Sequence, residues 1–361
     1  MMERQAMPLQ PLTAQIVGSY AKPHWLAHHQ RMRALDGSWW RPEAEVLREA
    51  KEDAVRLAVY EQELARLDLI TDGEAQRAAY DRDFLAALSG IDLAYTQADD
   101  YAAASEARPR DESGWEEYSA LGRIKPIVVD RVRFAQSFAT DEVRFAKSIA
   151  SKPLKTTIVG PISLYTQLAD QVYDDPEALI LDLAAALNAE MRSLEAAGAD
   201  VLQIDEPGWH FNIDLVRAMG RKAIMRMVEG ISVPIIVHVC YGYAIVYKDK
   251  SASPDYPELL EILAASPIAG ISLEYEQPGH APDILNHCGD KHVMIGLLDL
   301  GTEAVESSEH IAERLRDALD VVPAERLHPC SDCGMWHLPR SRAYAKIKAL
   351  ASGTEKVRAR L

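Results

Sequence analysis

Long apolar runs are missing from this chain. None approaches the roughly 20 residues that a membrane-crossing helix needs. The N-terminal stretch MMERQAMPLQPLTAQIVGSY also lacks the apolar core of a secretory signal. Both absences lead to the expectation of a cytoplasmic protein. Positive charge is scarce as well: 39 Lys and Arg face 55 Asp and Glu, a formal net of −16. That deficit argues against nucleic acid or an anionic membrane as the main partner. Cysteine is limited to Cys240, Cys288, Cys330 and Cys333. In a reducing compartment such residues are candidates for metal binding or catalysis before disulfides. No GxGxxG follows the first strand-like run, which removes the main support for a dinucleotide-binding open sheet.

What is present is alternation. Strand-like runs occur at 14–18, 67–71, 156–160, 200–204, 234–238, 269–273, 292–296 and, more weakly, 326–329. Most are β-branched and apolar on both faces, as parallel strands buried on both sides should be. Helical patterns lie between them, at Pro42 to Arg66, Pro176 to Ala197, Asn212 to Glu229, Pro257 to Ala265, Ser308 to Leu319 and Pro339 to Ser352. Eight such runs with interleaved helices predict a (β/α)₈ barrel, a single domain over residues 1–361. The gap between the second and third strands is too long for one crossover, so an insertion is expected at approximately 80–155. Its polar 97–115 stretch reads as an exposed loop.

In such a barrel, chemistry sits at the C-terminal ends of strands. The runs here end in Ser19, Glu74, Gly160-Pro161, Asp205-Glu206-Pro207, His238 with Cys240, Glu274, Asp299 and Cys333. His238 and Cys240, two apart, project from the same side of a strand. With Glu274 and Cys333 they would suit a four-coordinate zinc of mixed N, O and S ligands. Taken singly, a buried Cys or His is more often packing. Cys330 and Cys333 form one CxxC, a weak redox signal, and Cys330 reads as a small residue inside the last strand. Glu74 and Asp205 form a second constellation, able to bind an ammonium or a metal or to act as acid and base. Helix capping or an ion pair is the plainer role for each.

At these residues the sequence resembles the C-terminal catalytic domain of cobalamin-independent methionine synthase. The matching pieces, in order, are Ile16-Val17-Gly18-Ser19-Tyr20, Asp72-Gly73-Glu74, Ile158-Val159-Gly160-Pro161, Gln203-Ile204-Asp205-Glu206-Pro207, His238-Val239-Cys240-Tyr241, Ile271-Ser272-Leu273-Glu274 and Ser331-Asp332-Cys333-Gly334. The chain is similar to the short, single-barrel branch, which also includes epoxyalkane:coenzyme M transferases. The resemblance implies zinc bound by His238, Cys240, Glu274 and Cys333, with a zinc-bound thiolate as nucleophile. It implies that Glu74 and Asp205, the expected catalytic pair, hold a substrate amino group, with Ser19 near its carboxylate. Methyl transfer to homocysteine, giving methionine, is the leading expectation.

The donor side departs from the family. A pterin-stacking Trp is expected where Gln167 stands, and a proton-donating His where Gly301 stands. Trp209-His210 and Trp336-His337 could supply a substitute platform and acid, with loop packing as the plainer role. The donor is therefore open among folate, a methylcobamide, an epoxide or another alkyl compound. Addition of coenzyme M to an epoxide is the alternative; its sulfonate would want Lys22, Arg77 or Arg340. A non-catalytic zinc- or thiol-binding protein is the second alternative. The His238/Cys240/Cys333 set argues against uroporphyrinogen decarboxylase, a relative by fold that needs no zinc. A second copy of the chain or a methyl-donor helper protein are compatible partners.

Overall fold

The structure, a computed structural model, describes residues 9–28, 39–79, 82–93, 125–243 and 250–361. The 97–115 stretch lies outside these residues. The strands are β1 (Leu88–Asp92), β2 (Ile127–Phe134), β3 (Lys155–Val159), β4 (Ala169–Asp170), β5 (Val201–Asp205), β6 (Ile235–Val239), β7 (Gly270–Leu273), β8 (His292–Gly296) and β9 (Leu327–Cys330). The α-helices are α1 (Ala44–Leu64), α2 (Arg82–Leu85), α3 (Thr140–Ile149), α4 (Pro161–Thr166), α5 (Pro176–Ala197), α6 (Ile213–Val228), α7 (Tyr256–Ala264), α8 (Ser308–Leu319) and α9 (Arg340–Arg358). A 3₁₀ helix covers Pro282–Cys288.

The fold is mixed α/β around a parallel sheet ordered β3-β5-β6-β7-β8-β9. Neighbouring strands pair in parallel throughout. β3, β5, β6, β7 and β9 are buried along their whole length. This explains their continuous apolar sequences, since helices cover one face and packed side chains the other. A second sheet, ordered β1-β2-β4, pairs β1 with β2 antiparallel and β2 with β4 parallel.

The segments at 14–18 and 67–71, expected as strands, carry no strand ladder. They still bond to the sheet's two edges. Gln15 N–H donates to Pro329 O, and Lys155 N–H donates to Ile70 O. They also touch each other, through Asp68 N–H to Ala14 O. Side chains take the donors a ladder would use: Ala14 N–H goes to Asp68 Oδ2 and Val17 N–H to Ser331 Oγ. Pro329, on the edge strand beside 14–18, has no N–H to offer at all. One apolar cluster nevertheless gathers Val17, Leu69, Val201, Ile236, Met294 and Cys330 from both segments and four strands.

The helices follow their sequence signals. Pro176 opens α5, and Asp175 accepts the Glu177 N–H, as a capping carboxylate should. Ser307 caps α8 by accepting the His310 N–H. α9 runs past the expected end at Ser352. Gly353 does not stop it, because it serves close packing: a Cβ there would lie 2.6 Å from Ile311 Cγ2 on α8.

His328, within β9, is buried, and burial pushes its imidazole down to about 3. Its Nδ1 accepts the Thr13 N–H at 3.2 Å, and its Nε2 lies 3.0 Å from His292 Nδ1. The unfolded chain takes up a proton there below pH ~6.5, whereas the folded chain resists until about 3. This residue's contribution to stability therefore falls as pH drops from 6.5 toward 3. His328→Gln is expected to shrink the loss in urea midpoint between neutral and mildly acidic pH. Equal losses in variant and wild type would refute that role.

Candidate metal and substrate site

The strand ends bring three of the expected ligands together. His238 lies on β6, Cys240 follows it, and Cys333 follows β9. All three are buried, and one ligand atom from each lies within 4.8 Å of the others. A tetrahedral zinc with bonds of about 2.0–2.3 Å separates its ligand atoms by about 3.5–3.8 Å. The cluster is thus close to the size of a metal site. His238 Nδ1 lies 3.0 Å from Ser272 Oγ on the neighbouring strand, which orients the ring. His238 Nε2 is buried and makes no hydrogen bond, as a ligand nitrogen awaiting a cation would. The neighbouring Cys333 holds the Cys240 thiol well below its ordinary range, and Cys240 in turn pushes Cys333 up.

Glu274 follows β7 at the same end but is not part of that close group. Its Oε2 accepts the Tyr241 N–H at 3.0 Å, and its Oε1 accepts from Lys250 Nζ at 2.5 Å. Burial raises its carboxyl well above the usual range, and the nearby Cys240 adds to this. Lys250 escaped the sequence reading. It follows no strand and belongs to no motif, so only the folded chain shows its place.

Glu74 and Asp205 are both buried beside this cluster. Asp205 pairs in register with His238 across β5 and β6. Gln203 Nε2 donates to Asp205 Oδ1 at 2.7 Å, and Thr157 Oγ1 to Glu74 Oε1 at 2.9 Å. Burial pushes Asp205 up to about 7; His238 opposes this and Glu74 adds to it. Burial also raises Glu74, against Arg77 and Lys22. Glu74 adopts a left-handed backbone, φ 51°, a strain typical of residues placed for function. Gly18 leaves it room: a Cβ there would meet Glu74 Oε1 at 2.4 Å. Ser19 Oγ is buried without a hydrogen-bond partner and lines one small cavity with Lys22, Glu74, Arg77, Tyr243 and Trp336.

The remaining candidates take other places. Arg340 pairs with Glu61 at 3.2 Å and does not line that cavity. Arg77 donates to Thr157 O at 2.9 Å and pairs with Glu142. Lys22 donates to Glu74 O. Trp209 is buried in the main core, and Trp336 is buried beside Trp39 and lines the small cavity with Ser19 and Glu74. His337 packs edge-on against Tyr243 and Trp336. His210 lies half-buried against Tyr241, ring centroids 4.4 Å apart. Cys330 sits in the apolar cluster with Val17 and Met294, and all four cysteines are free. Asp299 accepts the Gly301 N–H in a loop beyond β8.

Comparison with known proteins decides the family. The profile of the cobalamin-independent synthase catalytic domain matches residues 12–356. This chain belongs to that family. The methionine synthase of Sulfurisphaera tokodaii is 30% identical over 355 residues, covering 98% of this chain and 94% of the relative. That of Saccharolobus solfataricus is 30% identical over 360 residues, covering 98% and 97%. A B12-independent methionine synthase from Shewanella sp. W3-18-1, solved in complex with selenomethionine, superposes with a TM-score of 0.83 at 30% identity, covering 97% of this chain and 99% of that one.

The two positions read from the sequence as departures on a donor side take these places. Gln167 is the C-cap of the short α4. Gly301 is exposed, and a Cβ there would come within 2.7 Å of Gln277 Nε2. Among the described residues, no helix is long and apolar enough to cross a membrane.

The geometry separates the two cysteines of the CxxC. Cys330→Ala is expected to retain one zinc per chain after reconstitution, and Cys333→Ala to lose it. Ser272→Ala, which frees the His238 ring, should weaken zinc binding about tenfold. Metal analysis with chelator competition checks all three.

Proposed function

We propose that this chain is a zinc-dependent methyltransferase that carries a methyl group to homocysteine, giving methionine. The carrying observation is the convergence of His238, Cys240 and Cys333 within 4.8 Å, beside the buried Glu74 and Asp205. His238, Cys240, Cys333 and Glu274 would hold the zinc. The donor set fits: two thiols, an imidazole with an unpartnered buried nitrogen and a nearby carboxylate. Bound there, zinc supplies the positive charge that keeps an incoming thiol ionised and nucleophilic at neutral pH.

The chain's own residues do the rest. Glu74 and Asp205 face a substrate ammonium, whose charge offsets the cost of burying both carboxylates. Thr157 and Gln203 fix their orientations. Ser19 Oγ, with no partner of its own, is placed to donate to the substrate carboxylate. The buried strand ends exclude water from the thiol. Coenzyme M has no ammonium, so the epoxide alternative would leave both carboxylates buried without a counter-charge. Tight zinc binding without any thiol alkylation would favour a non-catalytic role instead.

We further infer that the 14–18 and 67–71 segments complete an eight-stranded barrel in one domain. They occupy the interval between β9 and β3, and their Val17 and Leu69 share an interior cluster with four strands. Residues 80–155 would be its insertion. A methyl donor is the second substrate, its identity open, and a helper protein or a second copy remains compatible with the chain.

Calorimetric titration of homocysteine and of coenzyme M into zinc-loaded protein tests the function. Wild type is expected to bind homocysteine, and Glu74→Gln to bind it at least tenfold more weakly, the worth of about one charge-assisted hydrogen bond. Binding of coenzyme M alone, indifferent to Glu74, would overturn the homocysteine reading.

A further inference from the structure

The Glu274 carboxylate is met by a cation of the chain itself. Oε1 accepts from Lys250 Nζ at 2.5 Å, and Oε2 accepts the Tyr241 N–H at 3.0 Å. Lys250 Nζ also donates to Gly242 O at 2.5 Å, directly after the Cys240-Tyr241 turn. Both side chains are shut away from solvent, Lys250 at 1% and Glu274 at 0% exposure. A buried carboxylate needs a counter-charge wherever it sits. Of the four expected ligands, Glu274 alone is missing from the close group. It is also the one held by an ammonium of the chain.

We propose that Lys250 is a positioning residue that takes the Glu274 carboxylate whenever it is off the metal, leaving the fourth ligand place to the substrate thiol. The inference rests on the zinc and homocysteine reading above. Lys250 and the metal then compete for one carboxylate. A thiol that replaces Glu274 does not strand a buried negative charge, because the ammonium is already placed beside it. The arrangement favours thiol entry at the expense of metal affinity. No covalent step is involved; the lysine exchanges an ionic contact and keeps its proton.

The test compares wild type, K250M, K250R, E274Q and K250M/E274Q. Zinc affinity is read by chelator competition and homocysteine affinity by calorimetry on the zinc-loaded proteins. K250M should bind zinc about tenfold tighter and homocysteine about tenfold more weakly, since the two sites exchange one charged contact. K250R should recover part of the homocysteine affinity, which a loss of packing would not predict. The K250M and E274Q effects on homocysteine should be non-additive, because the lysine acts through that carboxylate. A folded K250M with wild-type affinities for both, or strictly additive effects, overturns this inference alone. Wild type that takes up no zinc overturns the zinc reading, and this inference with it.

Discussion

Buried negative charge is the constraint around which the rest of this molecule is arranged. Cys240, Cys333, Glu274, Asp332, Asp205 and Glu74 all lie out of solvent at one end of the parallel sheet. Burial pushes Asp332 up to about 6 and Asp205 to about 7. No fold keeps such groups ionised without donors and cations to face them. Asp332 takes the N–H groups of Tyr275, Glu276 and Gln277 in succession. That carboxylate thereby ties the segment after Glu274 to the turn that carries Cys333. Deeper in the sheet, Lys155 is buried against Gln15 and Ile16 O, its ammonium pushed down to about 8 by burial. Its charge also interacts with Cys330, Asp205 and Glu74. The chain's internal cations thus offset part of the charge. On the proposed reading, what is left over is met by a metal at the thiols and an ammonium at Glu74 and Asp205.

This constraint also accounts for the irregular edge segments. A regular ladder at 14–18 would spend its N–H groups on backbone carbonyls. Here Thr13, Ala14 and Val17 give theirs to His328, Asp68 and Ser331. Ser331 in turn donates to Cys333 O. The side chains that break the ladder therefore help to fix the turn carrying a thiol. Regularity is lost where the site gains definition.

Much of the fold and most of the site were legible because strand ends are set by local pattern. His238, Cys240, Asp205 and Cys333 each follow an apolar run, so their convergence needed only the order of strands. Six of the eight runs form the ladder. The 14–18 and 67–71 runs were legible as apolar but not as irregular, because partners such as Ser331 for Val17 and Pro153 for Ile70 are distant in sequence. Lys250 was invisible for the same reason. Its role comes from a contact across 24 residues with Glu274, and no period or spacing marks it. The expected helix end at Ser352 fell short because Gly353 continues the helix where α8 needs the space.

The two halves of the site rest on different parts of the fold, and this bears on how they vary. Asp205, His238, Cys240, Glu274 and Cys333 stand on or just beyond buried strands, and Glu74 follows the irregular 67–71 segment. Changing one would leave a buried partner uncompensated, which costs more than the contact itself is worth. Gln167 caps a short helix, and Gly301 lies exposed in a loop with Gln277 at the place its side chain would take. Substitution there disturbs no buried charge. Gln167 can be exchanged on those terms, whereas a side chain at Gly301 would first have to displace Gln277. On the proposed reading, an acceptor site fixed by buried charge can persist while an unburied position such as Gln167 is exchanged.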